Sequence, residues 1–161
     1  MKRIFVLFST LAALLACAGC TQTTFDRRAA IANFQKEGDK LDADYGAAMN
    51  AVMLRALTDT HGAAQALTVT KTYCDNVRDL YARQTALLGN IQPVAIEQHQ
   101  AVLATCAAGQ DVYSYLATRD ATHRLDINVY KQKRAALDAA SEKLDKANAA
   151  FEAGRAASGS D

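Results

Sequence analysis

The chain has 161 residues, with 18 lysines and arginines against 17 aspartates and glutamates, so its net charge at neutral pH is +1. Nucleic-acid binding requires clustered positive charge, which a near-neutral chain of this kind does not supply. Tryptophan is absent, proline occurs once and alanine is abundant, as is typical of a helical domain.

The first twenty residues are organised as an export signal. Lys2 and Arg3 precede an uncharged run from Ile4 to Ala16, and small residues surround Cys17 and Cys20. This is the order of a secretory signal peptide, and a run of 13 residues is shorter than the roughly 17 to 25 that a membrane-spanning helix needs. With a cysteine at the cleavage point, residues 1–20 resemble the signal and lipobox region of bacterial lipoproteins, in which that cysteine is lipidated.

The resemblance implies an N-terminal lipid anchor, and two cysteines compete for it. Cys17 follows Leu14 by three positions, as the lipoprotein pattern favours, whereas Cys20 follows a better pair of small residues but lacks the leucine. We favour Cys17 and keep Cys20 as the alternative. Neither Ala18 nor Thr21 is the aspartate that retains such proteins at the inner membrane. We therefore expect acyl chains such as palmitate to hold the body at the outer membrane, facing the periplasm. An ordinary signal peptide and a soluble periplasmic product is the other interpretation.

Four amphipathic helical patterns fill the predicted body, residues 21–154. Their apolar and small residues recur three and four positions apart, which places them on one face of each helix. The patterns span about residues 24–58, 63–88, 94–117 and 122–153. Short links between them favour an all-α fold, an up-down-up-down four-helix bundle, with a three-helix bundle as the alternative.

Residues that commonly end or start helices separate the four patterns. The run from Asp59 to Gly62 separates the first two helices, and the run from Gly89 to Pro93 predicts a turn between the second and third. A short polar turn at 118–121 precedes the fourth helix. Residues 155–161 are small and polar, so they are predicted to form a disordered tail.

Cys74 and Cys106 are the remaining cysteines, and each lies on the seam of its own helix. Cys74 precedes Gly89 by 15 residues and Cys106 follows Pro93 by 13. A hairpin turn between Gly89 and Pro93 would place both cysteines at nearly the same height on adjacent helices. Because the periplasm is oxidising, we predict a disulfide that links the second and third helices and staples the bundle.

No stretch of the body matches a catalytic or cofactor motif. It lacks G-x-S-x-G, H-E-x-x-H, a phosphate-binding glycine loop and the C-x-x-C-H of covalently attached haem. His99 and Cys106 share a helix face but lie about 10 Å apart along the axis, too far to share one metal ion. We therefore predict no catalytic residue, no metal and no cofactor.

The leading hypothesis is a non-enzymatic lipoprotein that acts by contact with an unidentified envelope protein. An assembly accessory, an inhibitor or immunity protein and an exclusion protein all fit, and a homo-oligomer is compatible with the sequence. Tyr115 is a candidate contact residue, and so is Tyr73 if the outer side of the hairpin is left uncovered. The alternative is a binder of a small ligand or cofactor in the bundle interior. Its cavity would form at small residues of the seams: Gly38, Ala48, Gly109, Ala140 and Ala147.

Overall fold

The described part of the chain folds into four helices. The computed structural model describes residues 21–88, 93–118 and 125–158, with side chains for 29–87, 93–118 and 125–153. Within these ranges there is no strand. The helices are α1 (Thr21–Thr58), α2 (Thr60–Leu88), α3 (Pro93–Ala117) and α4 (Ile127–Ser158). The prediction of an all-α chain with four helices is confirmed.

Neighbouring helices run antiparallel. In each pair, residue numbers rise along one helix as they fall along its partner. The pairs that show this are Glu37–Arg83 and Met49–Thr70 between α1 and α2, Cys74–Cys106 and Tyr81–His99 between α2 and α3, and Gln98–Asn148 and Asp111–Lys133 between α3 and α4. This confirms the up-down-up-down order, because three successive reversals leave α1 antiparallel to α4.

The bundle is packed in chain order, and its outer helices stay apart. Each helix packs along its neighbour in sequence, and α1 also touches α3. Among the described residues, no Cα atom of α1 lies within 8 Å of a Cα atom of α4. The long helices, α1 with 38 residues and α4 with 32, measure about 57 and 48 Å at 1.5 Å per residue.

One end of the bundle, here called the corner end, contains the junction of α1 with α2 and the passage from α3 to α4. Asp59 alone separates α1 from α2. Its backbone NH donates to the Arg55 carbonyl, and its carboxylate accepts from the NH of Gly62 in the first turn of α2. Asp59 therefore caps α2 at its N-terminus, which is why α2 begins three residues before the predicted start at 63.

The fourth helix differs from its predicted bounds at both ends. Asp126 Oδ1 accepts from the backbone NH groups of Asn128 at 2.9 Å and Val129 at 3.3 Å. This N-cap starts α4 at Ile127, five residues after the predicted start, because capping rather than apolar spacing fixes the first turn. The helix continues to Ser158, so its last residues occupy part of the segment predicted as a disordered tail. Residues 159–161 lie outside the described ranges.

Two clusters of buried side chains form the core. The corner cluster lies near the corner end and contains Met49, Ala56, Ala63, Ala66, Val112, Tyr113, Leu116 and Leu137. The hairpin cluster lies towards the other end and contains Tyr73, Cys74, Val77, Tyr81, Val102, Cys106 and Leu144. We call that other end, where α2 ends and α3 begins, the hairpin end.

The first turns of α1 extend beyond the hairpin end. Since Glu37 pairs with Arg83 in an antiparallel arrangement, the end of α2 is level with about residue 32 of α1. The ten or so residues of α1 before that level protrude by about 15 Å. Whatever precedes Thr21 therefore joins the body at the hairpin end.

Candidate functional site

The predicted lipid anchor precedes the first helix in the sequence. Cys17 and Cys20 are outside the described residues, and α1 begins at Thr21. The choice between the two cysteines, and lipidation itself, remain predictions. No helix among the described residues combines the length and the apolar character that crossing a membrane requires.

The predicted disulfide is present. Cys74 of α2 is bonded to Cys106 of α3, with their Cα atoms 5.8 Å apart. Both side chains are buried in the hairpin cluster. The bond therefore cross-links two helices from within the core, which confirms the interpretation as a structural staple.

Tyr73 is a core residue and not part of an exposed surface. Its exposed fraction is 7 %, because α1 covers that face of α2. The Tyr73 hydroxyl donates to Asp42 Oδ1 of α1 at 2.7 Å, and its ring stacks on Tyr45 with centroids 4.3 Å apart. The condition under which Tyr73 would serve as a contact residue is not met, so that prediction is wrong.

Burial raises the pKa of the Tyr73 hydroxyl, and the neighbouring Asp42 carboxylate raises it further. The phenol therefore stays protonated and remains a hydrogen-bond donor to the carboxylate. Burial raises the pKa of Tyr45 as well. Tyr73 and Tyr45 therefore stack between α2 and α1 as neutral phenols. Neither is an activated phenolate.

His99 stacks on a tyrosine at the interface of α2 and α3. Its imidazole lies 3.5 Å from the Tyr81 ring, centroid to centroid, with the planes nearly parallel. Burial lowers the pKa of His99 to about 4, because the imidazolium would lose its hydration. At neutral pH His99 is therefore an uncharged packing residue.

Tyr115 of α3 is hydrogen-bonded to the residue that precedes α4. Its hydroxyl donates to the Asp126 carbonyl at 3.1 Å and accepts from the Asp126 NH at 3.0 Å. The Lys133 ammonium lies 5.8 Å from its ring centroid. The side chain is half-buried at the corner end, so its role as a contact residue stays a prediction.

The small seam residues lie at helix contacts. Gly38 and Gly109 are buried, and Ala48, Ala140 and Ala147 are half-buried. A Cβ added at Gly109 would meet the Thr70 methyl at 3.5 Å, which is ordinary van der Waals contact. A methyl group would therefore fit at Gly109 without a clash. Within residues 21–88, 93–118 and 125–158, no three histidine, cysteine or acidic side chains gather as they would to hold a metal ion.

Exposed large apolar side chains occur at both ends of the bundle. At the corner end, Leu54 is 79 % exposed, Leu57 is 48 % exposed and Ile127 is 50 % exposed. At the hairpin end, Leu87 is 61 % exposed and Ile96 is 43 % exposed. Helical spacing did not predict the exposure of these five side chains. An apolar residue that lies off the seam would have indicated it, as Leu54 does relative to Tyr45, Ala48 and Val52.

Comparison of the chain with models of protein families, with curated proteins and with solved structures finds no match in any of the three.

Proposed function

We propose that this chain is a lipid-anchored, non-enzymatic protein of the bacterial envelope that binds another envelope protein through its corner end. The anchor is an acylated Cys17 or Cys20, the membrane is the outer membrane, and the body faces the periplasm. The export signal of residues 1–20 supports the location. The exposed leucines of the corner end support the mode of action.

The observation that carries the contact is the pair Leu54 and Leu57. They lie one turn apart on α1, and Leu54 is the most exposed large apolar residue of the described body, at 79 %. Two exposed leucines on successive turns of one helix form an apolar strip, whereas a single exposed leucine is common on protein surfaces. Burying a leucine against a partner contributes roughly 1.5–3 kcal/mol, so the pair suits a small contact.

The position of the strip suits a protein that reaches away from a membrane. α1 is continuous from Thr21 to Thr58, so the strip lies about 50 Å along the helix from its first residue. α2 packs against this helix, with contacts from Glu37–Arg83 to Met49–Thr70. A lipid at the start of α1 would thus leave the strip in the periplasm, available to a partner.

The contact is tested by crosslinking in the intact envelope. A photoreactive side chain introduced at Thr58, beside the strip, is expected to capture one dominant partner. Replacing both strip residues, Leu54→Asp with Leu57→Asp, should reduce that product at least tenfold. The matched control is Ala104→Asp with Ala107→Asp, since these residues are exposed on α3 at the same spacing of three but lie away from the strip; it should leave the product unchanged. Equal loss in both variants, or no product, would contradict the proposed contact.

The anchor is tested separately by mass spectrometry of the N-terminal peptide and by membrane fractionation. Cys17→Ala should release the body from the membrane fraction if Cys17 carries the lipid, and Cys20→Ala should not. The reverse result would assign the lipid to Cys20. An N-terminal peptide without acyl chains would refute lipidation at either position.

A further inference from the structure

The hairpin end carries an exposed apolar pair, Leu87 on α2 and Ile96 on α3. Leu87 is 61 % exposed and Ile96 is 43 % exposed. They approach the α2–α3 link from its two sides, and the sequence has no charged residue between Arg83 and Glu97. Nothing in the described body covers these two side chains. These exposed apolar groups, one on each helix of the hairpin, are available to an apolar partner.

The occupant of this surface can be argued from where the chain enters the body. The residues before Thr21 join α1 at the hairpin end, whereas the corner end lies at the far end of α1. Under the proposed function those residues carry the lipid. The bilayer then lies on the side of the body that carries Leu87 and Ile96.

We propose that Leu87 and Ile96 insert into the bilayer surface as a second, non-covalent membrane contact beside the lipid anchor. The inference rests on the proposed anchoring. We assign the pair to lipid rather than to a protein because it lies at the end of the bundle that the anchor would join.

The geometry permits this contact in a tilted bundle. The hairpin end lies about 15 Å short of the start of α1 and roughly 10 Å to its side, the usual spacing of packed helices. Tilting α1 by about 55° from the membrane normal brings both to the same depth. The two apolar side chains would then enter the interface, and the corner end would remain in the periplasm.

The chemistry of the contact is apolar. Cleavage before Cys17 or Cys20 would remove Lys2 and Arg3 and leave 16 lysines and arginines against 17 aspartates and glutamates, a net charge of −1, so attraction to anionic lipid supplies little of the binding. Insertion should therefore occur in zwitterionic membranes and change little with salt. A contact made by lysine or arginine would weaken as salt increases.

The absence of tryptophan from the chain allows a single indole to report depth. Leu87→Trp and, as the matched control, Leu54→Trp are made in the full lipidated protein. Each variant is reconstituted into phosphatidylcholine vesicles whose acyl chains carry bromine. We expect at least twofold quenching and a blue shift for the indole introduced by Leu87→Trp, and neither for that introduced by Leu54→Trp. Ile96→Trp provides a second reporter if Leu87→Trp does not fold.

Each other outcome overturns the inference in a recognisable way. Protein that floats with the vesicles but shows no quenching at the hairpin end is anchored without the second contact. A blue shift that depends on protein concentration and resists brominated lipid assigns the pair to a second copy. Equal quenching of both variants excludes the inferred orientation. Protein that fails to float refutes the anchor, and with it the basis of the inference.

Discussion

The two halves of this bundle reach stability by different means. The corner cluster relies on close approach of backbones: Ala56, Ala63 and Ala66 are fully buried, and Gly62 of α2 lies against the backbone of Arg55. The hairpin cluster is built from large rings and a covalent bond, with Tyr73, Tyr81 and the Cys74–Cys106 disulfide.

The difference follows from how the helices are connected. At the corner end, where one residue links α1 and α2, the buried residues nearest the junction are the alanines Ala56 and Ala63. Towards the hairpin end, the helices have room for rings, and polar groups enter with them: Asp42 accepts from Tyr73, and Gln98 donates to Asn148 at 2.8 Å. Tight packing tolerates little change in volume. The hairpin half instead depends on the oxidised Cys74–Cys106 bond and on an uncharged His99 stacked on Tyr81.

The largest expected effect comes from removing the disulfide. Cys74→Ala with Cys106→Ala frees a loop of 32 residues in the unfolded chain, which costs about 4 kcal/mol of stability in the chain-entropy model. Urea unfolding measures this loss, with the reduced wild-type protein as the control for cavity effects. Hydrogen exchange should show the amides around Tyr81 losing more protection than those around Ala66. A loss below 1 kcal/mol would show that the hairpin half does not depend on its covalent bond.

Acid should weaken the hairpin half next. Burial lowers the pKa of His99 to about 4 in the folded protein, whereas an unfolded chain takes up this proton near pH 6.5. Between these values the unfolded state binds more protons, so the free energy of unfolding falls as the pH decreases. Above pH 6.5 the buried, uncharged His99 costs no stability. Near pH 4 the free energy of unfolding is lower by up to about 3 kcal/mol.

His99→Phe is the control for this titration, since a phenyl ring can keep the stack on Tyr81 but cannot take up a proton. The difference in unfolding free energy between wild type and His99→Phe should change steadily from pH 7 to pH 4. A constant difference over that range would mean that His99 is hydrated in the folded protein and does not contribute.

Seam positions and turn signals predicted the bundle, its antiparallel order and the disulfide. Each of these depends on spacing within one or two neighbouring helices. The 15 residues between Cys74 and Gly89 and the 13 between Pro93 and Cys106 fix the heights of the two cysteines. Local spacing alone was therefore sufficient for the staple.

Features that depend on side-chain capping or on how the helices assemble were not predictable in this way. Tyr73 lies on a row beside the seam, and only the placement of α1 decides that this row is covered. The start of α4 depends on Asp126, whose capping bonds involve geometry that apolar periodicity does not contain. Leu54 is an ordinary leucine in the sequence, and it becomes a candidate contact residue only when the assembled helices leave it exposed.

A smaller effect tests the corner half, at Gly62. A Cβ at this position would overlap the backbone carbonyl carbon and oxygen of Arg55. Backbone atoms cannot move aside as a flexible side chain can, so Gly62→Ala should force α1 and α2 apart. We expect a loss of about 2 kcal/mol, the usual cost of overpacking, measured by urea unfolding. Amides in the first turn of α2 should exchange faster than those near Cys74.

Gly46→Ala is the matched control, because a Cβ at Gly46 would meet nothing within 4 Å. Gly46 lies in the interior of α1, where alanine is favoured over glycine by about 0.5–1 kcal/mol, whereas Gly62 lies in the first turn of α2 and gains less. Gly46→Ala should therefore stabilise the protein by that amount while Gly62→Ala destabilises it. Opposite signs would assign the tight packing of the corner half to backbone approach at the Asp59 junction. A stabilising Gly62→Ala would place α1 and α2 further apart there and remove the contrast between the two halves.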